Sequence, residues 1–144
     1  MPKETDRLVV GTVHRLQPRV DERLTVPALS GAFAGFTEMP PVFATAFMVG
    51  FIEWACVELL RPALPAEFRT VGTHIDVSHV AATPVRMTVT ADVELISVEG
   101  RKLGFLVRCT DETGLIGEGR HERVIIDAAK FLKRVQAKQD KSDV

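Results

Sequence analysis

One long apolar segment limits what this chain can fold into. Residues 42–60 read VFATAFMVGFIEWACVELL, and up to Val57 only Thr45, Gly50 and Glu53 interrupt the apolar residues. Because apolar residues surround the helical wheel, the segment predicts a helix that is buried nearly all round. A carboxylate on such a helix loses its hydration, so Glu53 must either become protonated or find a charged partner.

Two interpretations of Glu53 stay open from the residues alone. A costly buried carboxylate is typical of an active site, where it can act in acid–base chemistry. Alternatively, Glu53 lies on a solvated stripe of the helix or is held by a structural arginine. Its neighbours on the helix surface, Val49, Val57 and Leu60, are apolar, so the position does not belong to an ordinary polar face.

Length and charge narrow the class of protein further. At 144 residues the chain is long enough for a sizeable core, and we expect a single domain over residues 1–144. The formal net charge of −1 shows no basic excess, which argues against nucleic acid as a partner. The apolar segment is shorter than the ~20 residues that a membrane span needs, and it contains Glu53. We therefore expect a globular protein that binds neither nucleic acid nor membrane.

The cysteines and the first residues bear on the cellular compartment. Cys56 lies in the apolar segment and Cys109 in a predicted strand, at no spacing typical of a zinc site or a redox motif. Buried free thiols are typical of a reducing compartment. The first residues, MPKETDRLVVG, lack the continuous apolar core of a signal peptide. We therefore expect a cytoplasmic protein.

Strict alternation of apolar and polar residues predicts the clearest strand, at residues 85–95. A period of two over this length is typical of an antiparallel strand with one solvated face. A turn at 97–101 leads to a second strand at 102–110, and a turn at 111–114 leads to a third at 115–126. This half of the chain therefore predicts an antiparallel meander. The apolar set of the first strand is Val85, Met87, Val89, Ala91, Val93 and Leu95.

Weaker patterns complete the chain on either side. Residues 70–80 predict a strand, and residues 8–16 predict a first strand, followed by a loop rich in Pro and Gly from 17 to 41. Residues 127–138 predict a closing helix, and we expect the tail after about residue 138 to be frayed. The strand at 70–80 directs one set of side chains towards the long helix, Val71, Thr73, Ile75, Val77 and His79. The closing helix has one apolar face, Ala128, Phe131, Leu132 and Val135.

The order of these elements predicts an α+β fold. A sheet with one solvated face must cover its other face, and only the helix at 42–60 is apolar enough to do so. One long helix wrapped by a curved antiparallel sheet, with a short C-terminal helix, is the hotdog fold, which commonly pairs two protomers edge to edge. A cystatin-like or other α+β roll with a small-molecule cavity is the alternative.

Two strands place polar side chains on the face that the sheet turns towards the helix. By itself, His79 is more typical of a satisfied core histidine, but opposite Glu53 it could serve as an acid–base or orienting group. Arg123 could pair with a carboxylate such as Glu53, or bind the anion of a substrate or cofactor, and both interpretations stay open. The inward set of the last strand is Leu115, Gly117, Gly119, His121, Arg123 and Ile125. Its two glycines suggest strand curvature or a close approach of another backbone.

Thr45 lies near the start of the long helix, after Pro40 and Pro41. A helix start offers free N–H groups and a positive dipole end that suit a developing oxyanion, although a first-turn threonine is also a common cap. Eight residues separate Thr45 from Glu53, a rise of about 12 Å. Both residues can act on one carbon only with a linking substrate, a helix that starts later, or a site shared between two protomers.

Four sequence blocks together resemble a known family. VFATAFMVGFIEWACVELL, VGTHIDVSHVAATP, SVEGRKL and GEGRHERVII follow one another as in the fluoroacetyl-CoA thioesterase family of hotdog proteins, from about Phe36 to Phe131. The resemblance implies a catalytic trio of Thr45, Glu53 and His79. It also implies that Gly72 and Arg123 support the substrate site.

The same resemblance contains one departure. The fluoroacetyl-specific enzyme carries two phenylalanines three residues apart in the loop before the helix, and the corresponding positions here are Phe36 and Met39. That region is expected to cover the acyl group. Methionine is flexible and has no aromatic face, so we expect thioester hydrolysis with a weaker preference for fluorine.

The sequence therefore predicts an acyl-CoA thioesterase that acts on a short acyl group. His79 and Glu53 would activate water, or Glu53 would itself attack the carbonyl, while Thr45 orients one of these groups. No Gly-rich phosphate loop, metal cluster or GxSxG motif is present, so we expect no metal and no redox cofactor. A hotdog enoyl-CoA hydratase or dehydratase, or a non-catalytic module that binds acyl-CoA or another small ligand, is the alternative.

Overall fold

The computed structural model of the chain describes residues 3–142. One antiparallel sheet carries five strands in the order β1-β3-β4-β5-β2, with one long helix before β2 and one helix at the end. The elements are β1 (Val13–Leu16), α1 (Thr45–Leu60), β2 (Phe68–Val77), β3 (Thr90–Glu99), β4 (Lys102–Asp111), β5 (Gly114–Asp127) and α2 (Ala128–Ser142).

The core lies between α1 and the apolar face of the sheet. Every second residue of β4 is buried, and so is the matching set on β3, as the alternation predicts. The buried stripe of α1 completes this core, so the hotdog fold is confirmed. The buried residues of these three elements are Met48, Ile52, Ala55, Cys56, Leu59 and Leu60 on α1, Ala91, Val93 and Leu95 on β3, and Leu103, Phe105, Val107 and Cys109 on β4.

The strand predicted at 85–95 is wrong at both ends. Arg86 has a φ of 82°, which breaks the extended conformation, and the backbone around it bonds to Val20 instead of joining the sheet. The strand therefore begins at Thr90. At the other end the register shifts next to Ile96, and this bulge carries β3 on to Glu99. The turn predicted at 97–101 shrinks accordingly.

The ends of the chain also differ from the predictions. The amide of Thr12 donates a hydrogen bond to the carbonyl of Val9 and so closes a turn before the first strand. The strand is therefore shorter than predicted and covers only Val13–Leu16. The loop at 17–41 contains three short 3₁₀ helices. The closing helix runs past its predicted end at residue 138 and continues to Ser142, and the apolar side chains of Leu132 and Val135 remain exposed.

Two bulges change which side chains face α1. In β2 the register shifts between Gly72 and His74, so Gly72 and Ile75 lie on the inner face and the predicted inward position of Val71 is wrong. In β5 the extra residue is Ile116, which is buried in place of Leu115. The inner face of β5 otherwise follows the prediction from Gly117 onward.

The glycines of β5 confirm the predicted close approach of another backbone. A Cβ atom on Gly117 would collide with the carbonyl oxygen of Ser78, and one on Gly119 would collide with the carbonyl of Asp76. The backbone amide of Ser78 donates to the carbonyl of Glu118 at 2.9 Å. These contacts fix the end of β2 and the segment that follows it, which carries His79.

The long helix is not buried all round, contrary to the prediction. It begins at Thr45 because Ala44 is extended, with a φ of −78° and a ψ of 141°. The sheet covers only one side of α1. Its other side exposes Ala46, Gly50 and Trp54, and Trp54 is 48% exposed. Among residues 3–142, no helix is long and apolar enough to cross a membrane.

Candidate active site

Thr45 and His79 meet at the N-terminal end of α1. The Thr45 Oγ1 and His79 Nδ1 atoms are 2.6 Å apart. Backbone hydrogen bonds hold both sides of this contact, since the amide of Phe43 donates to the carbonyl of Thr83 and the amide of Val80 donates to the carbonyl of Ile116. His79 lies two residues beyond β2 rather than within a strand, yet it faces the helix as the sequence predicts.

The environment of His79 suits a base. Burial lowers the pKa of the His79 ring, and this effect is larger than the opposite effect of a backbone hydrogen bond at Ala81. The imidazole is therefore neutral at pH 7. Its Nε2 atom is buried and has no hydrogen-bond partner in the structure. If Nδ1 carries the proton and donates to Thr45 Oγ1, Nε2 is the atom that can accept a proton.

Glu53 and Arg123 form a second group, two helical turns further along α1. Arg123 Nη1 donates to Glu53 Oε2 at 2.9 Å, and the arginine side chain is only 6% exposed. Its Nε and Nη2 atoms donate to the hydroxyl and the carbonyl oxygen of Thr70, respectively. The Glu53 side chain is 42% exposed, so the predicted full burial of this carboxylate is wrong in the single chain. The charged partner that the sequence required is present.

Gly72 allows this second group to pack closely. A Cβ atom on Gly72 would lie 2.8 Å from Glu53 Oε2, 3.2 Å from His121 Cε1 and 3.4 Å from Arg123 Nη1. Any side chain at this position of β2 would therefore push the carboxylate away from its arginine. A cavity of about 430 Å³ adjoins Glu53, and Gly72, Thr73 and Ile75 of β2 line it.

The two groups do not meet within one chain. Thr45 and Glu53 stand on the same continuous helix, and eight residues of α-helix separate them by about 12 Å. The structure therefore unites Thr45 with His79, and Glu53 with Gly72 and Arg123. It does not bring the predicted trio of Thr45, Glu53 and His79 to one point.

Phe36 lies beside Thr45, and Met39 lies further out. A cavity of about 370 Å³ is lined by Phe36, Phe33 and Thr45 together with small and aliphatic residues. The rings of Phe33 and Phe36 stand 5.3 Å apart, centroid to centroid. Residue Met39 is 45% exposed. Phe33, which is not among the sequence-predicted site residues, thus forms an aromatic pair with Phe36 at the same three-residue spacing.

Sequence reasoning also missed the roles of Thr70 and His121 in the group around Glu53. Thr70 accepts two hydrogen bonds from Arg123, and no local pattern marks it. His121 lies on the inward set of the last strand, next to Arg123 on the same face. That position was the available signal, because a histidine and an arginine are unusual on a face that is otherwise core.

Comparisons with known proteins give a consistent result. The sequence model of the fluoroacetyl-CoA-specific thioesterase family matches residues 21–129. A fluoroacetyl-CoA thioesterase from Streptantibioticus cattleyicolor is 50% identical over 103 residues, which are 72% of this chain and 74% of that protein. A crystal structure of the fluoroacetyl-CoA thioesterase FlK superposes with a TM-score of 0.88 at 44% identity, over 91% of this chain and 97% of that one.

A more distant structure has the same fold. A Thermus thermophilus protein described as a thioesterase superfamily member has a TM-score of 0.85 at 26% identity, over 94% of this chain and 96% of that one. The family resemblance of the four sequence blocks is confirmed. This chain belongs to the fluoroacetyl-CoA-specific thioesterase family.

Proposed function

We propose that this protein hydrolyses short-chain acyl-CoA thioesters, fluoroacetyl-CoA among them, to the free acid and CoA. The observation that carries the proposal is the contact between Thr45 and His79 beside a small, largely apolar cavity. Family membership supports the same reaction. The cavity suits a short acyl group, and the neutral histidine suits proton transfer near pH 7.

In the proposed mechanism, His79 activates water. A water molecule attacks the thioester carbonyl carbon while His79 Nε2 takes one of its protons, and the carbonyl oxygen becomes an oxyanion. The tetrahedral intermediate then expels the CoA thiolate, which receives the proton from His79. Thr45 accepts the Nδ1 hydrogen and so keeps the ring in the tautomer that leaves Nε2 free to act.

The start of α1 is suited to holding the oxyanion. The amide of Phe47 donates to the carbonyl of Ala44, but no side chain caps this helix at Ala44, so the N–H groups of Thr45 and Ala46 are not occupied by a capping side chain. These groups and the positive end of the helix dipole favour negative charge at that point. Thr45 therefore combines two functions, since it orients His79 and lies at the oxyanion end of the helix.

We further propose that Glu53 reaches the reacting carbon from a second copy of the chain. Arg123 holds one oxygen of the carboxylate, Oε2, which leaves Oε1 to bind the attacking water or to attack the carbonyl itself. Glu53 is half exposed in one chain, and it borders the exposed apolar side of α1. A homodimer that pairs these helix faces would cover that side and place the Glu53 of one protomer near the Thr45 of the other.

The proposed cytoplasmic location has support from the cysteines. Cys56 and Cys109 are both free and buried in the core. Burial raises the pKa of each thiol to about 12, so neither is a reactive thiolate at pH 7. Unpaired core thiols are typical of proteins in a reducing compartment.

The first prediction concerns the reaction and Glu53. The unmodified protein should release free thiol from acetyl-CoA and fluoroacetyl-CoA. Glu53→Gln keeps the shape but removes the charge, and should lower kcat by at least ~100-fold. Glu58→Gln is the matched control, since Glu58 lies on the same helix and pairs with Arg61 at the surface. A reagent that reacts with the released CoA thiol measures the rate of hydrolysis for the unmodified protein and for each variant.

Other outcomes of this assay identify the alternatives. An absorbance change of an enoyl-CoA without thiol release would indicate a hydratase, and acyl-CoA binding without turnover would indicate a binding module. A folded Glu53→Gln protein with nearly normal kcat would remove Glu53 from the mechanism.

The second prediction concerns the dimer. Light scattering at micromolar concentration should give twice the chain mass of 15.9 kDa. Gly50→Glu places a charge in the centre of the exposed side of α1, so it should produce a folded monomer with little activity. Leu132→Glu is the matched control, because it adds the same charge at an exposed position of α2. An unmodified protein that is a fully active monomer would contradict the prediction.

The third prediction concerns the acyl group. The family resemblance places Met39 where the fluoroacetyl-specific relative has an aromatic residue, so this protein should accept a broader range of short acyl groups and prefer fluoroacetyl over acetyl less strongly. Met39→Phe should raise the fluoroacetyl-to-acetyl ratio of kcat/KM by roughly 10–200-fold at most, the value of one apolar contact. If the unmodified protein already discriminates by far more than this factor, the preference resides in the reacting groups instead.

A further inference from the structure

His121 is a buried histidine that the proposed mechanism does not use. His121 is 2% exposed and lies on the inner face of β5, two residues before Arg123. Its Nδ1 atom is 2.6 Å from the carbonyl oxygen of His74, and its Nε2 atom is 3.1 Å from Arg123 Nη1. Both ring nitrogens are therefore engaged, which distinguishes His121 from His79.

The two partners determine which nitrogen of His121 carries the proton. A carbonyl oxygen only accepts hydrogen bonds, so Nδ1 must be the donor to His74. A guanidinium only donates, so Nε2 must be the acceptor from Arg123. Both bonds can exist together only in the neutral ring with its hydrogen on Nδ1.

Arg123 links His121 to the proposed site. The same nitrogen, Nη1, donates to His121 Nε2 and to Glu53 Oε2, while the other two nitrogens bind Thr70. Thr70 therefore holds the guanidinium on one side and His121 holds it on the other. If the His121 contact is lost, the guanidinium can rotate about its contacts with Thr70 and shift the carboxylate of Glu53.

We propose that neutral His121 is a positioning residue that holds Arg123 in place and thereby aims the Glu53 carboxylate at the reacting carbon. The inference rests on the proposed function in so far as it concerns turnover. The tautomer and its contact with Arg123 are independent of any activity.

The contact also makes the site sensitive to acid. Protonated His121 would direct a hydrogen on Nε2 against the N–H of Arg123, so that two cations face each other. The groups around the ring are Glu53 on α1, Arg123 and Glu122 on β5, the His74 carbonyl on β2 and the Phe105 ring on β4. Burial is the largest effect, and it lowers the pKa of His121. The hydrogen bond to the His74 carbonyl and the charges of Glu53 and Glu122 act in the opposite direction, whereas the charge of Arg123 lowers the pKa further. The ring is therefore neutral at pH 7, and positioning is lost only as the pH falls below the usual histidine range.

Two substitutions separate the two hydrogen bonds of His121. In His121→Gln the longer side chain can place an amide oxygen near the former Nε2 atom, so the acceptor for Arg123 is kept. In His121→Asn the shorter amide can still donate to the His74 carbonyl, but nothing accepts from Arg123. We expect His121→Asn to lower kcat by roughly 10- to 100-fold, the scale of a misplaced catalytic group, with KM changed much less. We expect His121→Gln to keep most of the activity.

The pH dependence and the tautomer provide independent readouts. The acid limb of the rate profile should be less steep in His121→Gln than in the unmodified protein, because one titrating group is gone and His79 remains. A ¹H–¹⁵N spectrum of the imidazole nitrogens at pH 7 should show His121 protonated on Nδ1 alone, whether or not any thioester is hydrolysed. Thermal unfolding of both variants reports their stability.

Several results would overturn the inference. Equal loss of kcat in both variants, in proportion to their lost stability, would make His121 a purely structural residue. An unchanged acid limb in His121→Gln, or a hydrogen on Nε2 in the spectrum, would also contradict it. If no acyl-CoA is hydrolysed by the unmodified protein, the proposed function fails, and the spectrum still decides the tautomer.

Discussion

The ion pair between Glu53 and Arg123 is the interaction on which this structure depends. A guanidinium that is almost fully buried needs a partner for its charge and acceptors for its N–H groups. Glu53 supplies the charge, while Thr70 and His121 supply the remaining acceptors. The ion pair connects the central helix, α1, to β5, which is the strand next to the edge strand β2. It also explains Gly72, since any side chain there would occupy the space of the carboxylate.

The exposure of Glu53 sets the second constraint. If Glu53 had only a structural role, its carboxylate could be fully enclosed by the fold. Instead, the Glu53 side chain is 42% exposed, on a helix whose outer side is apolar. Small residues at Ala46 and Gly50 would let another helix approach closely along that side. We propose one explanation for both the half-covered ion pair and the uncovered apolar stripe, which is a second copy of the chain. The same copy would remove the 12 Å separation along α1 that divides Thr45 from Glu53.

The sequence predicted the features that depend on local pattern. The long apolar segment predicted α1, and the strict alternation at residues 85–95 predicted the buried Ala91, Val93 and Leu95 of β3. The sequence also predicted that Glu53 needs a partner and offered Arg123 as one. It could not predict the bulges at Thr73 and Ile116, because a bulge is decided by pairing between strands distant in sequence. Nor could it predict the exposed side of α1, since an apolar pattern does not reveal whether the chain's own sheet or another copy covers it.

The central claim is that two copies of the chain complete one active site, and mixing two inactive variants tests it most directly. Thr45→Val removes the partner of His79, and Glu53→Gln removes the carboxylate, so each protein should be nearly inactive alone. After the two are unfolded and refolded together, half of the dimers are mixed and each carries one intact shared site. Activity should then return to roughly a quarter of the unmodified level. If the mixture stays as inactive as its components although mixed dimers form, each site belongs to a single chain and the account is wrong.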